Sequence, residues 1–170
     1  MRIKSSLVAI RPLGPFGDPR QGRFGRSKAA FPRGPKAGPR SHAHAAPHSL
    51  NLKRAYEHPS RGDGTRVLVD RLWPRGVSKE RLALDFWLRD LAPSDALRTW
   101  YGHRPGRWPL FQDRYRMELE SKGDLLDLLD DLRRRGPVTL LYGARDVAHN
   151  HAVVLRAVLE ERRTGSDQSR

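Results

Sequence analysis

Two short apolar segments constrain the fold of this chain more than any other feature. Arg66–Asp70 (RVLVD) and Val138–Tyr142 (VTLLY) contain unbroken runs of β-branched and leucine side chains. The first follows the turn-like Gly62-Asp63-Gly64, and the second is bounded by Gly136-Pro137 and Gly143. Such runs are typical of strands that are covered on both faces, and these strands are usually parallel. The sequence therefore predicts an α/β fold whose small sheet has at least two buried, parallel strands, with helices packed on both faces.

Helical spacing marks the segments between and after these strands. Ser94 is a good N-cap residue, and Gly102 is placed to end the helix that Ser94 begins. Apolar side chains at helical spacing predict three more helices, which cover Trp108–Leu119, Leu125–Leu132 and Val147–Arg162. A helix after each strand is the arrangement expected in an α/β domain.

One segment supports two interpretations. Leu82–Leu88 carries apolar side chains at every second position, which favours a strand. Ser78-Lys79-Glu80, directly before it, is equally suited to the start of a helix. We favour the strand.

The first 50 residues differ from the rest of the chain. They hold 13 of the 28 glycines and prolines, and they carry ten Lys or Arg against one acidic residue, Asp18. We expect residues 1–50 to be a disordered basic extension. Three interpretations of this extension compete: an arm that contacts nucleic acid, a targeting peptide, and translated sequence upstream of the true start. We favour the last. Residues 51–163 then form a single α/β domain, and residues 164–170 a disordered tail.

Composition excludes several classes of protein. The chain of 170 residues has no cysteine, which rules out disulfides and thiolate metal sites, and a reducing cytoplasm fits this composition. Its apolar runs are far shorter than the roughly 20 residues that span a bilayer, so we expect no membrane segment. The net charge of +14 lies mostly in residues 1–50, so the domain itself is only mildly basic. The sequence specifies neither a cofactor nor an oligomeric state.

The first candidate site follows the first predicted strand, in Asp70-Arg71-Leu72-Trp73-Pro74-Arg75-Gly76. Ligands of open α/β sheets bind beyond the carboxyl ends of strands. Arg71 and Arg75 are suited to a phosphate or carboxylate, Trp73 to stacking on a planar ring, and Asp70 to acid/base work. The alternative is structural: Asp70 pairs with an arginine, and Trp73 fills the core.

The second candidate site follows the second strand, in Tyr142-Gly143-Ala144-Arg145-Asp146 and His149-Asn150-His151. If Asp146 is the N-cap of the last helix, His149 lies at its third position, near amides that favour a bound anion. His149 is then a candidate acid/base group, and Tyr142, Arg145, Asp146 and Asn150 are candidate ligand-binding residues. His151 shares a helix face with Val154, Leu155 and Val158, so we interpret it as a core histidine. No metal site is predicted, because two histidines at this spacing point away from each other on a helix.

Trp100-Tyr101-Gly102-His103-Arg104-Pro105 is a third and weaker candidate. Trp100 and Tyr101 are interpreted as core residues, and His103 and Arg104 as solvated ones. Gly-rich phosphate loops and a serine nucleophile elbow are missing from the sequence.

At these motifs the chain resembles the YeaO-like family of uncharacterised bacterial proteins, also described as domain of unknown function 488. The matching stretches cover nearly all of residues 52–160, and include VDRLWPRG at 69–76, WLRDLAPS at 87–94, WYGH at 100–103 and GPVTLLYGARDVAHNHAVVL at 136–155. The resemblance implies a compact cytoplasmic α/β domain, and it supplies no activity. It also implies that residues 1–50 are an atypical extension, because members usually start near Lys53-Arg54-Ala55-Tyr56.

The leading hypothesis is a small enzyme or binding protein for an anionic small molecule, such as a nucleotide or another phosphorylated compound. It requires that the two predicted strands be parallel neighbours, so that both polar clusters meet at one edge of the sheet. The alternative is a nucleic-acid-binding or regulatory module that uses residues 1–50. Binding through the arm would weaken steeply with salt, because it depends on neutralising phosphates.

Overall fold

The computed structural model of the protein describes residues 8–9 and 49–168, with side chains described over residues 49–165. The strands are β1 (Val8–Ala9), β2 (Leu50–Arg54), β3 (Thr65–Leu68), β4 (Phe86–Trp87) and β5 (Val138–Tyr142). The α-helices are α1 (Lys79–Leu82), α2 (Asp95–Tyr101), α3 (Trp108–Glu120), α4 (Gly123–Arg135) and α5 (His151–Gln168). Three single turns of 3-10 helix occupy Arg61–Asp63, Arg89–Leu91 and Pro105–Arg107.

The five strands form one sheet in the order β1-β4-β3-β5-β2. β5 lies between β2 and β3 and is parallel to both, and β4 is parallel to β3. The short edge strand β1 pairs antiparallel with β4. The predicted α/β fold is therefore confirmed, and so is the requirement that the two apolar strands be parallel neighbours.

The two faces of the sheet are covered unequally. Helices α2 to α5 pack their apolar side chains on one face, against Val67, Val69 and Leu140. The short helix α1 and the loop before it cover the opposite face, where Leu82 and Val77 pack on Leu68 and Leu141. Because both faces are covered, β5 is buried along its whole length. Helices on both faces are confirmed, although one face carries most of them.

The predicted helix boundaries are confirmed for α2 and revised for α5. The side chain of Ser94 accepts a hydrogen bond from the amide of Leu97, and Gly102 ends α2 in the left-handed conformation. The last helix begins at His151, four residues later than predicted, and extends to Gln168. Asn150 caps it, since its Oδ1 accepts hydrogen bonds from the amides of Ala152 and Val153.

The ambiguous segment Leu82–Leu88 contains both predicted elements in shortened form. Ser78 caps α1, which ends at Leu82, and only Phe86–Trp87 pairs as a strand. Ala83 has a positive φ of 46°, which reverses the chain between the two elements. The strand prediction for the whole segment was therefore wrong outside Phe86–Trp87, although all four of its alternating apolar residues are buried: Leu82, Leu84, Phe86 and Leu88.

Gly64 fixes the alignment of β3 with β5. It has φ 62° and ψ −136°, and a Cβ at this position would lie 2.0 Å from the carbonyl oxygen of Pro137. The same oxygen accepts a hydrogen bond from the amide of Thr65 at 2.9 Å. The two backbones approach this closely only because the residue is glycine.

A buried ionic cluster lies at the start of β3. The carboxylate of Asp63 contacts the ammonium of Lys53 at 2.9 Å and pairs with the guanidinium of Arg66, and it accepts hydrogen bonds from Ser60. Burial alone would raise the pKa of Asp63, but the hydrogen bonds from Ser60 and Lys53 outweigh it and lower the pKa to about 2. Arg66 also donates to the carbonyl of Leu82, so the cluster ties α1 to the sheet.

The expectations for residues 1–50 fall mainly outside the described residues. Of that segment the structure describes only Val8–Ala9, Ser49 and Leu50. Disorder, nucleic-acid contact and an upstream start therefore stay predictions, as does a cytoplasmic location. Among the helices of the described residues, none has the length and apolar character that a membrane span requires.

Candidate ligand-binding site

The candidate site is built where β3 and β5 end side by side. Leu68 is aligned with Leu141, and the amide of Val69 continues the ladder by donating to the carbonyl of Leu141 at 3.1 Å. Asp70 follows directly, and its Oδ2 accepts a hydrogen bond of 2.7 Å from the amide of Gly143. A side chain on residue 143 would obstruct this contact, since a Cβ there would lie 2.8 Å from Asp70 Oδ2.

His151, the first residue of α5, completes a pair with Asp70. Its Nε2 lies 3.1 Å from Oδ1 of Asp70 and 3.2 Å from the carbonyl oxygen of Val69. Both neighbours are acceptors, so the geometry assigns a proton to Nε2. The ring also packs edge-on against Tyr115, with the two ring centroids 6.3 Å apart. The imidazole is therefore held by polar contacts on one side and by an aromatic ring on the other.

A cavity of about 240 Å³ opens beside this pair. Its apolar wall consists of Leu72, Ala92, Pro93, Phe111 and Ala144. Its polar lining consists of Asp70, Arg71, Arg98, Tyr101, His103, Asn150 and His151. A mainly apolar hollow with a few converging polar groups is the usual form of a small-molecule site.

Two arginines in the lining share one carboxylate. Nε of Arg71 and one terminal guanidinium nitrogen of Arg98 each lie 3.4 Å from Oδ1 of Asp95. Asp95 is two-thirds exposed and Arg98 nearly half exposed, whereas Arg71 is one-third exposed. Exposed ion pairs of this kind contribute little to stability, so both guanidiniums are free to exchange Asp95 for another anion.

The end of α2 supplies further lining residues. The hydroxyl of Tyr101 donates to the carbonyl of His149 at 3.3 Å, and burial, followed by the negative charge of Asp146, raises the pKa of this phenol. His103 has a positive φ of 53°, and its ring lies 5.5 Å from that of Tyr101. A non-glycine residue in this conformation is uncommon and is found preferentially at functional sites.

The residues predicted after the first strand do not all reach the cavity. Asp70 and Arg71 line it, but Trp73 lies on the opposite face of the sheet. There its indole donates to the carbonyl of Val77 at 2.6 Å and packs edge-on against Trp87. Arg75 is exposed and lies outside the lining. The surroundings of Trp73 correspond to its alternative interpretation as a core residue.

The residues predicted after the second strand are also divided. Asn150 lines the cavity, whereas Tyr142, Arg145, Asp146 and His149 lie outside its lining. Tyr142 is buried in the core, and burial is the first cause that raises its pKa. Arg145 is exposed.

Asp146 is not the N-cap of the last helix, so the condition under which His149 would lie at the third position of that helix is not met. Asp146 Oδ1 accepts from the amides of Ala148 and His149, and Oδ2 lies 2.9 Å from Nδ1 of His149. These hydrogen bonds, those from the two amides above all, lower the pKa of Asp146. The hydrogen bonds of Asp146 are those of a helix cap, but the turn that they stabilise ends before α5 begins. His149 therefore lies outside the helix.

Sequence reasoning did not assign four polar residues of the lining to the site, although two of them, Tyr101 and His103, belong to its third and weaker candidate. His151 was interpreted as a core histidine from its apolar neighbours, and Tyr101 and His103 as core and solvated residues, whereas Arg98 drew no attention. One sequence signal pointed to His151: it lies at the junction of a buried strand with the following helix, where α/β domains bind ligands. Within the described residues, no three His, Cys, Asp or Glu side chains come together as a potential metal site.

Comparisons with known proteins agree with the resemblance seen in the motifs. Residues 49–170 match the profile of a family described as "Inactive DUF488-N3 subclade". The uncharacterized protein Rv3073c of Mycobacterium tuberculosis is 42% identical over 113 residues, which cover 66% of this chain and 95% of that protein. The uncharacterized protein Mb3100c of Mycobacterium bovis gives the same values.

The uncharacterized protein YeaO of Escherichia coli is 39% identical over 107 residues, which cover 63% of this chain and 93% of that protein. The resemblance to the YeaO-like family is thereby confirmed. No solved structure matches the chain significantly.

Proposed function

We propose, from the premise that the chain belongs to the inactive DUF488-N3 subclade, that its cavity binds a small anionic molecule and that binding, rather than catalysis, is its role. Our hypothesis allowed an enzyme or a binding protein, and the word "inactive" in the family description supports the binding protein. The preferred ligands carry a phosphate or a carboxylate, because guanidinium groups bind both in a bidentate manner.

The observation that carries the proposal is the pair of arginines at the cavity. Arg71 and Arg98 converge on a single carboxylate oxygen of Asp95, an acceptor that an incoming anion can replace. The carboxylate also keeps the two guanidiniums close together before a ligand arrives, which reduces the entropy lost on binding. A phosphate or carboxylate would then bridge two cations in a partly desolvated hollow.

The size and walls of the cavity support a compact ligand. Its volume of about 240 Å³ is below the range of roughly 300–1,000 Å³ that is common for drug-sized ligands. Phe111 and Tyr101 give it aromatic walls, and His103 adds an imidazole to the lining. These features favour a short phosphorylated or carboxylated compound over a dinucleotide.

A second pocket, the groove between α2 and α3, fits the proposal less well. The groove between α2 and α3 is larger, about 560 Å³, and more open. Its polar side chains already contact each other or the walls: Ser94 donates to Glu118, and the guanidinium of Arg114 lies over the ring of Trp100. The smaller cavity brings two guanidiniums together, whereas the groove has one guanidinium and the carboxylate of Glu118.

The test is a thermal-shift and calorimetric screen of the full chain against alkyl phosphates, sugar phosphates, nucleotides and carboxylates. A ligand of the native state raises the melting temperature. We expect Arg71→Ala and Arg98→Ala each to weaken binding about 10- to 100-fold, the loss of a charge-assisted hydrogen bond of about 1.5–3 kcal/mol.

Arg75→Ala and Arg145→Ala are the matched controls, because each removes one positive charge from an exposed arginine outside the lining. They should change affinity less than about twofold, since screened surface charges contribute little. Equal weakening in all four variants, or the absence of any hit from a folded chain, would refute the proposal. Loss of binding in Arg145→Ala alone would favour the site that the sequence predicted after β5.

A further inference from the structure

We propose, building on the function proposed above, that His151 selects ligands that carry a hydrogen-bond donor in addition to their anionic group. Nδ1 of His151 is the acceptor for that donor, and Asp70 is a positioning residue that holds the ring in the required tautomer. The ligand class is thereby narrowed to small phosphates or carboxylates with an adjacent hydroxyl, amine or amide N–H.

The tautomer follows from the surroundings of Nε2. Oδ1 of Asp70 and the carbonyl oxygen of Val69 both lie within 3.2 Å of this nitrogen. An unprotonated Nε2 would direct its lone pair at two oxygen atoms, which is repulsive. The neutral ring therefore carries its proton on Nε2 and its lone pair on Nδ1.

Asp70 cannot turn away from the histidine without cost. Its Oδ2 is held by the amide of Gly143 at 2.7 Å, and its Oδ1 is buried, with Nε2 of His151 as its close polar neighbour. Rotation of the carboxylate would leave the Gly143 amide without its acceptor, which costs about 1–3 kcal/mol. It would also move the buried Oδ1, which makes no hydrogen bond with the described residues, away from the imidazole. A rigid carboxylate that orients an imidazole is a common way to fix one ring nitrogen as donor and the other as acceptor.

Nδ1 is the remaining polar atom of the pair. The ring lines the cavity, its side chain is 15% exposed, and none of the described residues donates to Nδ1. The side-chain amide of Asn150, which also lines the cavity, already makes its hydrogen bonds within the protein. Its Oδ1 caps α5, and its Nδ2 donates to the carbonyl of Asp146. His151 therefore offers an uncommitted acceptor to a ligand held by Arg71 and Arg98.

Probes of equal charge test this inference separately from anion binding. We would measure the affinity of the full chain for ethyl and propyl phosphate and for their ω-hydroxy derivatives, by calorimetry at about pH 8, where imidazoles are ordinarily neutral. We expect at least one hydroxyalkyl phosphate to bind about tenfold more tightly than its alkyl partner, since one hydrogen bond contributes up to about 1.5 kcal/mol.

The variant His151→Phe keeps a ring against Tyr115 and removes the acceptor. It should lose the preference for the hydroxyl, because the hydroxyalkyl phosphates lose more affinity in this variant than the alkyl phosphates do. If wild type binds both kinds of probe equally, this inference fails while the proposed function stands. If none of these phosphates binds and the screen of phosphates and carboxylates described above gives no hit either, the proposed function itself fails.

A spectroscopic readout distinguishes positioning from mere packing. Long-range proton–nitrogen NMR of the imidazoles, with His151→Phe to assign the signals, should show a protonated Nε2 and an unprotonated Nδ1. Asp70→Asn, which still offers an oxygen to the Gly143 amide, should alter this pattern and reduce the preference for the hydroxyl without unfolding the chain. The opposite tautomer in the wild type would overturn the inference.

Discussion

Replacing Gly64 by alanine is expected to destabilise the domain strongly. The residue has φ 62° and ψ −136°, a region that is essentially restricted to glycine, and holding another residue there costs about 1–3 kcal/mol. A Cβ would also lie 2.0 Å from Pro137 O, so the two strands must separate by more than an ångström to reach ordinary contact. The Thr65–Pro137 hydrogen bond of 2.9 Å would break.

The lost hydrogen bond leaves a half-buried donor and acceptor without partners, which costs up to about another 1–3 kcal/mol. The two contributions give a loss of about 2–6 kcal/mol, a large share of the roughly 5–15 kcal/mol by which small domains are stable. Urea denaturation followed by tryptophan fluorescence measures the change in the free energy of unfolding, provided that the slope of the transition stays constant.

Gly62→Ala is the matched control, because it lies two residues away and a Cβ there meets nothing within 4 Å. We expect this control to change stability by less than about 1 kcal/mol. If the free energies of unfolding of Gly64→Ala and Gly62→Ala differ by less than about 0.5 kcal/mol, the reasoning about the close approach of β3 and β5 is wrong. The same variant should lose ligand binding, since the alignment of these strands brings Asp70 to Gly143.

Two further perturbations test the polar clusters. The pKa of Asp63 is lowered from 3.8 to about 2 in the folded chain, so its contribution is fully present above about pH 5 and is lost as the pH falls through 4 towards 2, by about 2 kcal/mol. Asp63→Asn should therefore flatten the pH dependence of the urea midpoint between pH 5 and 2, and an unchanged slope would contradict the role of the Lys53–Asp63–Arg66 cluster. Gly143→Ala would place a Cβ 2.8 Å from Asp70 Oδ2, and the lost hydrogen bond should lower the free energy of unfolding by about 1–3 kcal/mol. Urea denaturation measures the change against the control Gly106→Ala, where a Cβ meets nothing within 4 Å. Equal stabilities of these two variants would refute the contact.

Strands β3 and β5 were predictable because local sequence specifies them, whereas β1 and β2 were not predicted. The runs at Arg66–Asp70 and Val138–Tyr142 have no alternation, which indicates cover on both faces, and this in turn favours parallel pairing. The position of the site followed, since parallel neighbours end at the same edge. Element ends were harder: Asp146 makes the hydrogen bonds of a cap without starting a helix, and its residue type alone does not distinguish the two cases.

The composition of the site was less predictable, because its members converge only through tertiary packing. His151 satisfies a core position and a polar contact at once: its ring packs on Tyr115 while Nε2 reaches Asp70, 81 positions earlier in the chain. Helical spacing predicts the core position, but it cannot predict a contact with a residue so distant in the sequence. Arg98 and His103 enter the lining because α2 ends beside the β3–β5 edge, a placement that no local pattern encodes.

The position of β5 in the sheet has a consequence for how the protein is made. β2 and β3 are synthesised early, yet β5 lies between them and is the last strand to leave the ribosome. A nascent chain that ends before residue 138 therefore lacks the strand that joins β2 to β3, and the backbone edges that these two strands present to β5 stay unpaired. The site, which needs Gly143 and His151, forms only when synthesis is nearly complete, so an interrupted chain contains Asp70 and Arg71 but has no cavity for them to line.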